Sequence, residues 1–231
     1  MLIMRALRLT DGFTSWSDAQ LQQLAARSAL RRYERGQMLP LSVVASREAR
    51  LVVSGFIEVS RVLGSGRKFV YGIRGPGTVL GIINMFEDEA NVYGYDFYAH
   101  EDAAMVHIPA DPLLAILDED PALWRHMGRM VLRFGREGLR AFMDQIVGET
   151  RPRIAATLQR LAELYGVQGE DGLQVRLRLS QDDLAAMLGV SRQTVNKELR
   201  ALESENLIRS DYTAITVLDL PALRRLAGAA P

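Results

Sequence analysis

Arg192, Gln193, Asn196, Lys197 and Arg200 share one polar face of a short segment that opens with Ser191. Arginine and lysine pair with guanine edges and glutamine with adenine, so these side chains suit a DNA major groove. Ser191 and Thr194 stand where a helix N-terminus would meet phosphate. A polar helix face is common, and its neighbours decide the reading. Ser180 is an N-cap for a preceding helix with Gln181 in its first turn, and Gly189 can take the left-handed conformation that ends it. Ser191 then caps a second helix after a tight turn. Ala185 is small where the two helices must approach, and Leu184, Leu188, Val195, Leu199 and Leu202 supply the apolar contacts that fix their angle.

The segment is therefore helix, turn, helix. Residues 207–210 and 214–217, joined through Asp211, Tyr212 and Thr213, read as a β-wing behind it. Double-stranded DNA is the expected partner, met by Ser180, Gln181, Ser191, Arg192, Gln193, Thr194, Asn196, Lys197 and Arg200. Arg153 is expected to lie away from the groove. A solvated helical hairpin would not account for alanine, glycine and valine at these offsets ahead of a strand pair.

The rest of the chain must position this segment. Ser17 and Gln20 form a capping-box pattern ahead of a helix through Leu21, Leu24 and Ala25. After Arg31-Arg32-Tyr33 the pattern changes. Runs at 51–53, 56–59, 69–71, 95–98 and 105–108, punctuated by glycine, predict strands of a small barrel or sandwich. Residues 121–147 return to helical period with two apolar stripes. One contains Leu123, Met127, Met130 and Phe134; the other contains Trp124, Gly128, Val131, Gly135, Gly138 and Phe142. Two stripes imply two partners, the chain's own β domain and the same helix of a second chain, with a single wide core-facing surface as the alternative. Gly148 and Pro152 are expected to break that helix before another at 153–164. A turn-rich stretch at 166–172 follows. Leu173, Val175, Leu177 and Leu179 then alternate as a half-buried strand.

Composition narrows the function classes. The 231 residues hold 28 lysines and arginines against 28 aspartates and glutamates, so whole-chain charge gives no hint of a nucleic-acid partner and any such signal is local. The absence of cysteine excludes disulfides, thiolate zinc, cysteine-ligated iron–sulfur clusters and cysteine nucleophiles. No stretch approaches the roughly 20 apolar residues of a membrane span, and the N-terminus lacks a cleavage-like site, so an unprocessed cytoplasmic protein with no membrane partner is expected. There is no His-x-x-x-His, P-loop or Gly-x-Ser-x-Gly, which argues against an enzyme. No metal site is assigned.

Ser191-Arg192-Gln193-Thr194-Val195-Asn196-Lys197, followed by Leu202-Glu203 and Asn206-Leu207-Ile208, resembles the recognition helix of the Crp/Fnr family of bacterial regulators and its exit into the wing. Gly55, Gly66, Gly77 and Gly81 match the turn glycines of that family's cyclic-nucleotide-binding roll. The resemblance implies an α+β protein. It has a jelly-roll-like N-terminal β-roll sensor domain (1–120), a long dimerisation helix (121–148) and a C-terminal winged helix-turn-helix (149–231). It implies a homodimer on a palindromic operator, with RNA polymerase as a further partner. Arg192, Gln193 and Lys197 take the base-contacting places. Whether transcription rises or falls is left open.

The effector is a different matter. The resemblance places its pocket at Gly81, Ile82, Ile83, Tyr93, Gly94, Phe134 and Gly138. Members that bind cyclic AMP carry a ribose-binding glutamate where this chain has Ile82, and a phosphate-binding Arg-Ser pair where it has Val92-Tyr93-Gly94. Between Gly81 and Ala99 there is no lysine or arginine, whereas Glu87, Asp88, Glu89 and Asp96 are acidic. Phe134, Gly138 and Leu139 replace expected polar contacts on the long helix. An unidentified small molecule other than cyclic AMP is the expected effector. A constitutive regulator with a degenerate sensor, or a cyclic AMP-responsive activator with an atypical pocket, are the alternatives. Phe86, Tyr93, Tyr95, Phe97 and Tyr98 either line an apolar pocket or are ordinary strand packing. Haem would need His100, His107 or His126, and a lone histidine is more often structural or surface.

Overall fold

The computed structural model describes residues 1–39, 47–62, 64, 68–82, 85, 96–146, 148–211 and 214–228. The chain divides into two compact units, residues 1–61 with 72–138, and residues 62–71 with 139–231. It is a mixed helix and sheet protein, with an N-terminal β domain, a long helix and a C-terminal helix-turn-helix.

The N-terminal part opens with helix α1 (Leu2–Arg8), which sequence reading did not single out, and α2 (Asp18–Arg27). Ser17 and Gln20 close the expected capping box on α2. Strands β1 (Ala29–Tyr33), β2 (Glu48–Ser54), β3 (Ile57–Val62), β4 (Lys68–Arg74), β5 (Val79–Leu80), β6 (Asp96–Ala99) and β7 (Ala103–Pro109) follow, then α3 (Ala110–Glu119) and α4 (Pro121–Ile146). The strands form two sheets, ordered β1-β7-β2-β5 and β4-β3-β6. Successive side chains of a strand point to opposite faces, so β2 and β7 each feed two cores. Ala49, Leu51, Val106 and Ile108 pack with Leu7, Leu21, Leu24, Leu113, Leu123 and Met127, while Val52, Ala103 and Met105 pack with Tyr33, Leu39, Ile57 and Leu80. A sheet covered on both faces loses the clean apolar–polar alternation by which a strand is read. Strand β1 escapes sequence reading for the opposite reason, because three of its five residues are exposed.

Helix α4 runs 26 residues, as its period predicts. Leu123, Met127 and Met130 are buried, and Phe134 packs half-buried against the same cluster. Trp124 and Val131, placed on the second stripe, also pack half-buried there. The open side of the helix carries Leu132, Leu139, Phe142 and Met143 exposed, with Gly128 and Gly135 exposed beside them. A Cβ added at Gly128, Gly135 or Gly138 would meet nothing within 4 Å.

The C-terminal part holds α5 (Thr150–Tyr165), β8 (Gly166–Gln168), β9 (Leu173–Val175), α6 (Gln181–Leu188), α7 (Arg192–Ser204), β10 (Ile208–Ser210), β11 (Ile215–Val217) and α8 (Leu220–Leu226). Pro152 does not break a helix. It sits in the first turn of α5, where its missing N–H has no intrahelical partner to lose. The alternation of buried Val175, Leu177 and Leu179 with exposed neighbours holds, yet strand pairing ends at Val175, and Arg176 N–H bonds the Tyr165 carbonyl instead. The small sheet is ordered β10-β11-β9-β8, so the expected wing is joined by the β8–β9 hairpin. Among the described residues no helix is long and apolar enough to cross a membrane.

Candidate nucleic-acid interface

Local chemistry builds the helix-turn-helix. Ser180 Oγ accepts the Asp183 N–H at 3.1 Å, and the Asp183 carboxylate accepts the Ser180 N–H at 2.8 Å, a reciprocal capping box that starts α6. Gly189 ends it at φ 65°, a left-handed conformation that L side chains take only with strain. Ser191 Oγ then accepts the Thr194 N–H at 3.1 Å and starts α7. Leu184, Leu188, Val195, Leu199 and Leu202 are all buried, and so is Ala185. Arg153 reaches across to donate to the Leu188 carbonyl, an orphan acceptor at the end of α6.

On the exposed side, α7 presents Arg192, Gln193, Lys197 and Arg200. Asn196 is half-buried, and its side-chain amide donates to Gln181 Oε1 at 3.1 Å. One residue further along α6, the Asp182 carboxylate stands 3.3 Å from an Arg192 guanidinium nitrogen. These two cross-links are not visible in the sequence, although Gln181 and Asn196 are both expected at the surface. Ser180, Gln181, Asp182, Arg192, Asn196 and Arg200 line one polar cleft, together with Glu203, Ser210 and Asp211. Of the nine residues expected at the DNA surface, Ser180 and Gln181 stand at the cap and first residue of α6, Ser191 and Thr194 at the start of α7, and Arg192, Gln193, Lys197 and Arg200 on its exposed side, while Asn196 is half-buried against Gln181. The N-terminus of α7 adds a partial positive charge there.

Of the expected effector residues, Gly81, Ile82, Phe134 and Gly138 lie among the described ones. Gly81 has φ 74°, and a Cβ there would stand 3.0 Å from the Glu48 carbonyl oxygen. Ile82 is 4% exposed and belongs to the apolar core that Phe134 packs against. Gly138 is half-buried with open space at its Cβ. Ile83, Tyr93 and Gly94 lie outside the described residues, as do Phe86, Tyr95 and the run from Glu87 to Glu89.

Beside Gly81 the β-roll holds a buried polar cluster that sequence reading missed. Tyr33 Oη lies 2.6 Å from His107 Nε2, His107 Nδ1 lies 2.7 Å from Glu48 Oε2, and the Arg50 guanidinium is 3.7 Å from that oxygen. Burial pushes the Tyr33 hydroxyl up, and it pulls the Arg50 guanidinium and the His107 imidazole down, with Glu48 opposing the last two shifts. His107 is 3% exposed, so its role is that of a satisfied interior histidine. An Arg50 nitrogen comes within 3.8 Å of the Cβ position of Gly81, so a cation from β2 does stand near a segment that has none of its own. The signal available in the sequence was Glu48 and Arg50, two charges on one face of an otherwise apolar strand.

Comparison with known proteins agrees with this architecture. Residues 152–226 match the Crp-like helix-turn-helix domain and residues 30–120 the cyclic nucleotide-binding domain. The chain is 26% identical over 177 residues to a CRP-like cAMP-activated global transcriptional regulator of Mycobacterium tuberculosis, covering 77% of this chain and 78% of that one. Transcriptional regulator SdrP of Thermus thermophilus is 29% identical over 176 residues, covering 76% and 82%. A solved CRP/FNR-family transcriptional regulator, also of Thermus thermophilus, superposes with a TM-score of 0.67 at 25% identity, over 87% of this chain and 98% of that one. FixK2 of Bradyrhizobium japonicum shares the fold, with a TM-score of 0.76 at 19% identity over 88% and 99%. Capped helix-turn-helix, wing and β-roll, together with these relatives, lead to one conclusion: the chain belongs to the Crp/Fnr family of DNA-binding transcription regulators.

Proposed function

We propose that this regulator acts in the cytoplasm as a homodimer that reads a palindromic operator through α7 and is controlled by a small molecule other than cyclic AMP held in the β-roll. The observation that carries the reading is the outward face of α7, where Arg192, Gln193, Lys197 and Arg200 project beside a serine-capped N-terminus. Arginine and lysine at these places suit guanine, and the caps of α6 and α7 suit phosphates on either side. Dimerisation is supported by the exposed apolar stripe of α4, since Leu132, Leu139, Phe142 and Met143 cost free energy if left in water. A two-fold dimer would set its recognition helices about 34 Å apart, matching successive major grooves. RNA polymerase is the expected further partner.

Ile82, buried in the core, offers a ribose hydroxyl no acceptor side chain, which supports an effector other than cyclic AMP. The same burial of Ile82, with Phe134 against the same core, favours the second reading, a constitutive regulator whose sensor no longer binds a ligand. Selection of binding sites from a random duplex library tests the function, with palindromic half-sites expected. Recovery of no enriched sequence would refute it. Thermal-shift screening against metabolites separates the two effector readings, because a ligand at 100 times its Kd adds about 2.7 kcal/mol of stability.

A further inference from the structure

We propose that Asp182 is a specificity-determining residue of the DNA interface, holding Arg192 for base contact and opposing its diversion to the phosphate backbone. The inference rests on the reading of α7 as the recognition helix. Asp182 has no capping duty, because the α6 cap is closed by Ser180 and Asp183. Its carboxylate is instead 3.3 Å from Arg192, the first residue of α7, and both side chains are more than half exposed. One turn along α7, Asn196 is tied to Gln181, the neighbour of Asp182, at 3.1 Å. Adjacent residues of α6 thus brace two residues four apart on α7, which share a face.

A carboxylate on a surface meant for a polyanion is unfavourable by itself, so its position needs a reason. The closest approach of the two side chains is 3.3 Å, and a planar guanidinium fork presented to a guanine edge gives bidentate readout. On a cognate site Arg192 can keep Asp182 and meet the base. On unrelated DNA, where affinity comes almost wholly from phosphates, Arg192 must leave Asp182 to reach the backbone, and the abandoned carboxylate then faces phosphate unpaired. The acid therefore weakens non-cognate binding more than cognate binding.

The test compares wild type with Asp182→Asn, Asp182→Glu and Arg192→Ala on two duplexes of equal length, an operator obtained by selection and a random sequence. For Asp182→Asn, affinity for the random duplex is expected to rise roughly three- to tenfold, the effect of about one unit charge a few ångströms from phosphate in water. Its salt slope should steepen by about one, as Arg192 neutralises one more phosphate. Operator affinity should rise less than affinity for the random duplex, and Asp182→Glu should restore the wild-type ratio. A merely structural ion pair would move thermal stability and leave these slopes alone. An unchanged ratio of the two affinities in Asp182→Asn, with Arg192→Ala still reducing discrimination, overturns this inference alone. Full discrimination in Arg192→Ala overturns both the inference and the recognition-helix reading.

Discussion

Asn196 donates its side-chain amide to Gln181 Oε1, so one residue of α6 and one of α7 meet the surroundings as a single hydrogen-bonded unit. A free amide at either position would sample several rotamers; the pair is restricted to those compatible with the bond. Alanine substitutions at the two sites should therefore be non-additive for operator affinity. A double-mutant cycle is expected to return a coupling of about 0.5–1.5 kcal/mol. Strict additivity would mean that the two side chains act separately on DNA.

Replacing Arg192 or Lys197 with alanine should cost about 1–3 kcal/mol at defined operator positions, read by competition binding against single-base operator variants. Arg153, expected from the sequence to lie away from the groove, makes a poor neutral control, since its guanidinium serves the Leu188 carbonyl at the end of α6. Arg224 is the better one: its partner is Glu163 at 2.7 Å, an exposed pair on α5 and α8. Arg224→Ala should leave discrimination intact and change stability by less than about 1 kcal/mol.

Ser191→Ala removes the α7 cap and should destabilise the protein by about 1 kcal/mol. Gly189→Ala forces an L side chain to φ 65° and should cost about the same. Chemical denaturation checks both. Unchanged midpoints would mean that neither the end of α6 nor the start of α7 depends on these residues.

His107 makes stability depend on pH in a defined direction. Its folded pKa lies below the ordinary value of 6.5, so above that pH neither state carries the proton and stability is flat. As pH falls below 6.5 the unfolded chain binds a proton that the folded one does not, and stability declines toward the folded pKa. His107→Gln should lower stability by about 1–3 kcal/mol, because Tyr33 and Glu48 lose a buried partner, and should flatten the decline that sets in below pH 6.5. Thermal melts across that range decide it.

The open face of α4 makes a further prediction about assembly. Leu132→Glu with Leu139→Glu should shift the sedimentation of the protein toward monomer without unfolding it, since both side chains are exposed in the single chain. Gly135→Ala and Gly138→Ala meet no atom within 4 Å in the chain itself and should gain up to about 1 kcal/mol of helix propensity each. A changed balance of operator binding without effector in these variants is expected if the helix pair is the switching element. Altered thermal stability with unchanged DNA affinity would make the seam plain packing.

The sequence by itself determined the helix-turn-helix, because its start and stop signals act over a few residues: Ser180 with Asp183, Gly189 alone, Ser191 with Thr194. It likewise determined the length of α4, whose period is a local property. Tertiary structure decided what depends on distant partners. Tyr33 and His107 stand 74 positions apart, and only the β1-β7-β2 pairing turns them, with Glu48 and Arg50, into a buried cluster. Which α4 residues stay open was also a tertiary matter: Trp124 and Val131 have the same apolar character as Leu132, but the β domain's core packs against the first two and leaves Leu132 exposed. The physical reason is shared. Capping satisfies backbone groups from neighbours along the chain, whereas burial of a charge or an apolar face is settled by whichever segment packs against it.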